Sequence, residues 1–243
     1  MPNLKIRAIL MIIAFMVCQI SFAAANKPKT KSQAQQKRLK INPMSDYEGA
    51  WIANIETDAY SVGTFENLSI GYSANDGWDF SVSLLNAQVL GNNNHFQGNT
   101  FINIAKTFDI NNRFAITLGS QNGVALVNTE PQLWFNFTFI DNRFDVTDWL
   151  SIHGGPYLAN AALTGTSLQV GFFTGTEITF IPNQLSLQMD YISGSHSLSG
   201  ASVHLLLNIT PRSQIYLGVL VPEQNSGTEF AGIVGFNLST HQL

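Results

Sequence analysis

The stretch Gln184–Ile192, QLSLQMDYI, sets Leu185, Leu187, Met189 and Tyr191 on one run of alternate positions and Ser186, Gln188 and Asp190 on the other. A period of two is the signature of a β-strand with two unlike faces. In a water-soluble sheet the apolar face is core and the polar face is wetted. In a closed sheet crossing a bilayer the polar face lines the interior and the apolar face meets lipid. The rest of the chain decides between these.

The same theme recurs along the body. Segments with period-two alternation are punctuated by Gly, Asn, Asp, Ser or Pro, and no stretch after residue 25 sustains a 3.6-residue apolar period. Twelve strands are predicted, over roughly 49–56, 64–74, 77–87, 100–108, 112–120, 132–140, 148–159, 167–180, 184–192, 202–210, 213–221 and 229–239. Trp78, Phe80, Val82 and Leu84 share a face against Asp79, Ser81 and Ser83. Leu133, Phe135, Phe137 and Phe139 oppose Trp134, Asn136 and Thr138. Val203, Leu205, Leu207 and Ile209 oppose His204 and Asn208, with Leu206 breaking the rule. Positions opposite the apolar rows hold Ser, Asn, Thr, Gln and Gly, which suit a wet interior better than the outer surface of a soluble protein.

The connections alternate in length. Ala74–Gly77, Ile110–Arg113, Asp141–Thr147, Pro182-Asn183 and Pro211–Ser213 are turns. Between them fall Thr57–Gly63, Ala87–Asn99, Gln121–Pro131, Ala161–Gly165, Ser193–Gly200 and Pro222–Thr228. Trp51, Tyr72, Trp78, Phe108, Trp149, Phe180 and Tyr191 lie near strand ends, as interfacial girdles do.

The ends of the chain differ from the body. Lys5 and Arg7 precede the apolar run Ala8–Val17, and Ala23-Ala24-Ala25 supplies small residues, so residues 1–25 read as a signal peptide. The only cysteine, Cys18, lies inside it, and residues from 26 onward therefore offer no disulfide, thiolate ligand or thiol nucleophile. Residues 26–45 read as a basic flexible arm, with six cations between Asn26 and Lys40 that suit contact with anionic envelope polymers. From Ile41 onward, four cations (Lys106, Arg113, Arg143 and Arg212) stand against sixteen carboxylates, a net charge of −12 with His neutral. A body so acidic has no surface to neutralise phosphates, and nucleic acid is excluded as a partner.

In architecture, residues 46–243 resemble the Gram-negative outer-membrane β-barrel, porin-like class. The resemblance implies an up-and-down antiparallel transmembrane barrel of about twelve strands, with short periplasmic turns and longer outer loops. It also implies an outer-membrane location, a lipid bilayer as partner and small hydrophilic solutes as cargo. On that reading Leu185, Leu187, Met189 and Tyr191 face lipid and Asp190 faces the lumen.

Asp79, Glu177 and Asp190 fall on inferred lumen positions, with His204 on the same inward face as Asp190. A hairpin loop centred on Ser197 sets Asp190 directly opposite His204, as a proton-linked gate or a local strut. Arg113, Arg143 and Arg212 fall at or near the short turns and are expected at a periplasmic rim. Glu56, Asp58, Glu130, Glu223 and Glu229 are expected in or beside the long connections. An electronegative lumen and mouth would favour cations. Ala87–Asn99 and Gln121–Pro131 are the candidate infolded constrictions, and a structural or surface-binding barrel with a blocked lumen is the alternative. A barrel lipid hydrolase lacks support: no His-x-Ser spacing stands on a strand face, since His196 precedes Ser197-Leu198 and His153 precedes Gly154-Gly155. The five histidines are scattered without ligand spacing, and no phosphate-binding glycine loop opens a helix, so no cofactor or metal is expected.

Overall fold

In the computed structural model, residues 49–91, 97–127, 134–165 and 168–240 are described. Residues 1–48, which hold the expected signal peptide and the whole of the expected basic arm, lie outside them, as do residues 92–96, 128–133, 166–167 and 241–243. Twelve strands close into an antiparallel barrel in which each pairs with its chain neighbours and β1 (Ala50–Tyr60) pairs with β12 (Ala231–Ser239). Closure leaves no strand edge unpaired, which is what a sheet without access to water requires. Between them run β2 (Gly63–Ser73), β3 (Trp78–Gly91), β4 (Gln97–Asn111), β5 (Phe114–Val127), β6 (Trp134–Asp145), β7 (Leu150–Ala159), β8 (Gln169–Ile181), β9 (Leu185–Ile192), β10 (Gly200–Thr210) and β11 (Ser213–Pro222). One helical turn, α1 (Ala161–Thr164), follows β7; it is capped by the Asn160 side chain, which accepts from the Leu163 N–H. Among the described residues no helix is long and apolar enough to cross a membrane.

One end of the barrel carries the short turns. Gly77 sits there with φ of +87°, and a side chain on it would meet the Thr107 carbonyl oxygen at 2.6 Å, so only glycine fits. Trp51, Trp78, Phe108, Trp149 and Phe180 all stand exposed at this end, with Tyr72 against Trp51. The Lys106 ammonium lies over the Trp78 and Phe108 rings, 5.2 and 5.9 Å from their centroids, and bonds the Asp76 carbonyl. A long cation rising from an apolar face to a polar turn is how lysine behaves at a lipid boundary.

The outer face of the barrel is apolar where a soluble protein would be charged. Ile55, Ile70, Val82, Ile102, Phe172 and Val234 are each about half exposed or more. On β9, Leu185, Leu187, Met189 and Tyr191 take the outward positions, while Ser186 and Gln188 are buried inward with Asp190 in line.

Two expectations fail. The strands run further than the sequence suggests: β1 continues to Tyr60, and only Ser61 and Val62 separate it from β2. Glu56 and Asp58 are therefore inward residues of a strand, 5% and 4% exposed, and not part of a connection. Similarly, β3, β4 and β5 take up most of Ala87–Asn99 and Gln121–Pro131 as strand, leaving residues 92–96 and 128–133 outside the described residues.

The second failure is one of facing. On β6 the apolar row points inward: Phe135, Phe137 and Phe139 are buried, while Asn136 and Thr138 take the outward positions. The neighbouring strands explain it. Gly119 of β5 is paired with Phe139, and a side chain there would meet the Phe139 ring at 2.2 Å. Phe101 lies likewise over its partner Gly123, Tyr157 over Gly171, and Tyr216 over Gly235. Each inward ring fills the space its glycine leaves empty, the covering of a glycine by a cross-strand aromatic.

Candidate functional site

The interior of the barrel has two unlike walls, and its charged groups form two clusters, one on β6–β9 and one on β1–β2. His153 of β7 is the centre of the first. Its Nδ1 lies 3.3 Å from Asp141 Oδ1 on β6, and its Nε2 lies 2.9 Å from Asp190 Oδ1 on β9. β8 stands between β7 and β9, and the contact crosses it at Gly175, the register partner of both residues. A side chain at Gly175 would meet His153 Nε2 and Asp190 Oδ1 at 2.2 Å each, so the missing Cβ is what lets the two touch. Only an imidazolium donates from both nitrogens, and between two carboxylates that is the form the geometry suits. With both ring nitrogens committed to carboxylates, His153 has none left to accept a proton from a serine.

Asp190 is held from two further sides. Gln188 Nε2 donates to its Oδ2 at 3.0 Å, and His204 Nε2 lies 3.8 Å from that oxygen while bonding Ser202 Oγ at 3.1 Å. The register pairs Asp190 with Ser202 and His204 with Gln188, because the hairpin centres on His196 and not on Ser197. The expected direct opposition of Asp190 and His204 is therefore corrected to a diagonal two residues apart. His204 is fully buried, and its Nδ1 has no hydrogen-bond partner among the described residues. Next to this group, Arg143 of β6 turns inward, with Nε 3.2 Å from Asp145 and Nη2 3.9 Å from Glu177 of β8.

A second acidic group lies on the β12–β1–β2 wall. Asn67 Nδ2 donates to Glu56 Oε1 and to Asp58 Oδ2, both at 2.8 Å, and Tyr216 donates to Glu56 Oε2 at 3.1 Å. The amide of Asn67 is oriented by its oxygen, which accepts the Asn86 N–H at 2.7 Å. Asn54 bonds Tyr216 and, at 2.8 Å, Asn237. Two adjacent carboxylates thus share neutral donors, with no Lys or Arg among those bonds.

The opposite wall is aromatic. Phe137 stacks on Tyr157 at 4.9 Å between centroids, and Phe139 meets Phe173 edge-on at 6.0 Å. Leu163 of α1 packs on this cluster. So does the connection Ser193–Ser199, whose His196 is 1% exposed and 2.7 Å from the Tyr157 hydroxyl through Nε2. The Leu198 N–H donates to His196 Nδ1 at 3.2 Å, and Tyr157 donates to the Ser193 carbonyl, so Nε2 carries the proton and the ring is neutral. Burial pushes the His196 imidazole below its ordinary value. Among the described residues this segment and α1 pack on the inward aromatic cluster, while residues 92–96 and 128–131 of the two stretches chosen from sequence lie outside the described residues.

The remaining predicted residues are placed as follows. Asp79 opens the inward row of β3, paired with Ser73, and its buried Oδ1 has no partner among the described residues. Arg113 and Arg212 are exposed in the β4–β5 and β10–β11 turns. Arg143 stands two residues inside the end of β6. Sequence reasoning missed His153, Asp141, Glu56 and Asp58. Their signal is parity: once β6 is known to turn Phe137 and Phe139 inward, Asp141 and Arg143 follow on the same face.

No family model matches the chain, and no curated relative does. Solved structures do. A structure described as KdgM porin superposes with a TM-score of 0.56 at 15% identity, covering 78% of this chain and 99% of that one. A second, described as KdgM porin in complex with disordered oligogalacturonate, gives 0.55 at 17% identity over 79% and 99%. A NanC porin structure gives 0.52 at 7% identity over 79% and 100%. At these identities the likeness is one of fold: the chain has the closed twelve-stranded barrel of outer-membrane porins.

Proposed function

We propose that this barrel sits in a bacterial outer membrane and acts as a narrow porin-like channel for small hydrophilic solutes, with a preference for cations. The observation that carries the preference is the sign of the inward charge. Glu56, Asp58, Asp79, Asp141, Asp145, Glu177 and Asp190 all take inward positions, while Arg143 is the one inward Lys or Arg among the described residues and the His153 imidazolium adds one further positive charge. Lys106 is outward, and Arg113 and Arg212 are in turns. Carboxylates in a low-dielectric wall raise the local concentration of cations and exclude anions. For the same reason the oligogalacturonate of the neighbouring porin structure, a polyanion, is not carried over to this chain.

Reversal potentials in planar bilayers under a KCl gradient test the reading. Cation selectivity is expected, weakened by the double substitution Glu56→Gln with Asp58→Asn; a clear anion preference overturns it. A second reading, a structural or surface-interaction barrel with a blocked lumen, draws on the aromatic wall with α1 and residues 193–199 packed over it. Liposomes carrying the protein separate the two: swelling in small sugars supports the channel, and its absence supports the blocked barrel.

A further inference from the structure

The reversal of β6 has an outer consequence. Ser120 and Asn122 of β5 and Asn136 and Thr138 of β6 take outward positions and form a hydrogen-bonded patch. Asn136 Nδ2 donates to Asn122 Oδ1 at 2.8 Å, Asn122 Nδ2 donates to Ser120 Oγ at 2.9 Å, and Ser120 and Thr138 hydroxyls lie 3.1 Å apart. The patch has apolar neighbours on most sides, with Asn160 bordering Asn136 at the β7 edge, where the Asn136 N–H donates to Asn160 Oδ1 at 3.1 Å. On its flanks Ile102 of β4 is paired with Asn122 and Leu158 of β7 with Thr138; below it Leu118 is paired with Ile140, and above it stands Trp134. All five of these apolar neighbours are among the exposed large hydrophobics of the outer face.

Acyl chains offer no donor or acceptor, so polar capacity at this level is left unmet by lipid. Asn122 uses one amide hydrogen and accepts one bond, which leaves a donor and a lone pair without partners among the described residues. The patch carries no formal charge, so it suits neither an anionic headgroup nor a charged partner. It holds donors and acceptors together on one face, which makes it complementary to itself about a two-fold axis.

We propose that the β5–β6 face docks against a second copy of this chain within the membrane, through reciprocal amide pairing centred on Asn122. The inference rests on the membrane-embedded reading above. Recovery of a folded, heat-modifiable barrel from the membrane fraction tests that reading separately.

The chain has no cysteine beyond residue 18, so single cysteines report contacts cleanly. In a Cys18→Ser background, Asn122→Cys is expected to give a cross-linked homodimer under mild oxidation in intact membranes, and Leu187→Cys on β9 is expected to give none. By native mass spectrometry in lipid nanodiscs, wild type is expected as a dimer. The double variant Asn122→Leu with Asn136→Leu should show at least a tenfold lower dimer fraction while keeping its folded gel mobility. A monomeric wild type at high protein-to-lipid ratio overturns the proposal. So does a dimer indifferent to these substitutions, cross-linking at residue 187 and not 122, or capture of a different protein at residue 122.

Discussion

β9 and β6 are written in the same period and face opposite ways. In β9 the apolar row Leu185, Leu187, Met189 looks outward, and Gln188 and Asp190 look in. In β6 the apolar row Phe135, Phe137, Phe139 looks inward, and Asn136 and Thr138 look out. Alternation defines two faces of a strand without naming them. What names them is the neighbour: the side chains across the ladder share a face, and a one-residue slip exchanges every residue between lumen and lipid. β6 faces as it does because β5 presents Gly119 and Gly123 on the inward side, where rings are needed to fill space.

The comparison breaks most sharply under a matched truncation. Phe137→Ala removes a ring that is 1% exposed and packed on Phe139 and Tyr157, and is expected to cost about 3–5 kcal/mol. Leu187→Ala removes an outward chain whose loss lipid can fill, and is expected to stay within about 0.5 kcal/mol, as at a surface. Denaturant unfolding of the two variants in vesicles measures both; equal losses would mean that β6 and β9 face the same way after all.

A smaller effect comes from the glycine side of the same contact. Gly119→Val sets a branched side chain where the Phe139 ring already lies and is expected to destabilise the barrel by about 1–3 kcal/mol through overpacking. Combining it with Phe139→Ala should recover part of that loss, because the pair then exchanges a ring for a smaller chain across one ladder position. The recovered folded band on an unheated gel is the readout.

The smallest effect is local and depends on pH. The segment Ser193–Ser199 stays on the aromatic wall while His196 is neutral, since Nδ1 must accept the Leu198 N–H. Burial depresses the folded value, so docking is fully present above the ordinary histidine range near 6.5 and is lost as pH falls below it. The protection factor of the Leu198 amide, its exchange rate measured against the intrinsic rate at each pH, should therefore fall as pH drops from about 7.5 to about 5. His196→Gln should flatten that response. The polar wall carries no such latch on this segment, so exchange in β12 should not change in step.

Much of this molecule is legible in its sequence. QLSLQMDYI announced its faces, the turns after Ser73, Asn111 and Ile181 fell where Gly and Asn said they would, and the girdle residues Trp51, Trp78, Phe108 and Trp149 were marked by their place at strand ends. Strand ends were harder. Asp58 and Tyr60 look like loop residues because Thr57–Gly63 mixes polar and turn-forming types, yet the ladder to β2 continues through them. Cross-strand hydrogen bonding extends as long as a partner is there, whatever the local propensity.

The site was legible in part. Asp190 was placed inward from its own strand, but its closest partner, His153, lies on β7 and is reached across β8 through the missing side chain of Gly175. No local spacing reports such a contact, because it depends on the registers of two ladders at once.

By itself the sequence determined that the body of this chain is a run of two-faced antiparallel strands, acidic and without cysteine, since period, turn residues and composition are properties of neighbours along the chain. Only the tertiary structure decided which face of β6 turns inward, which carboxylates meet a histidine and which amides stand on the outer face. Those are settled by what stands across the ladder, and pairing brings together residues that the chain keeps far apart.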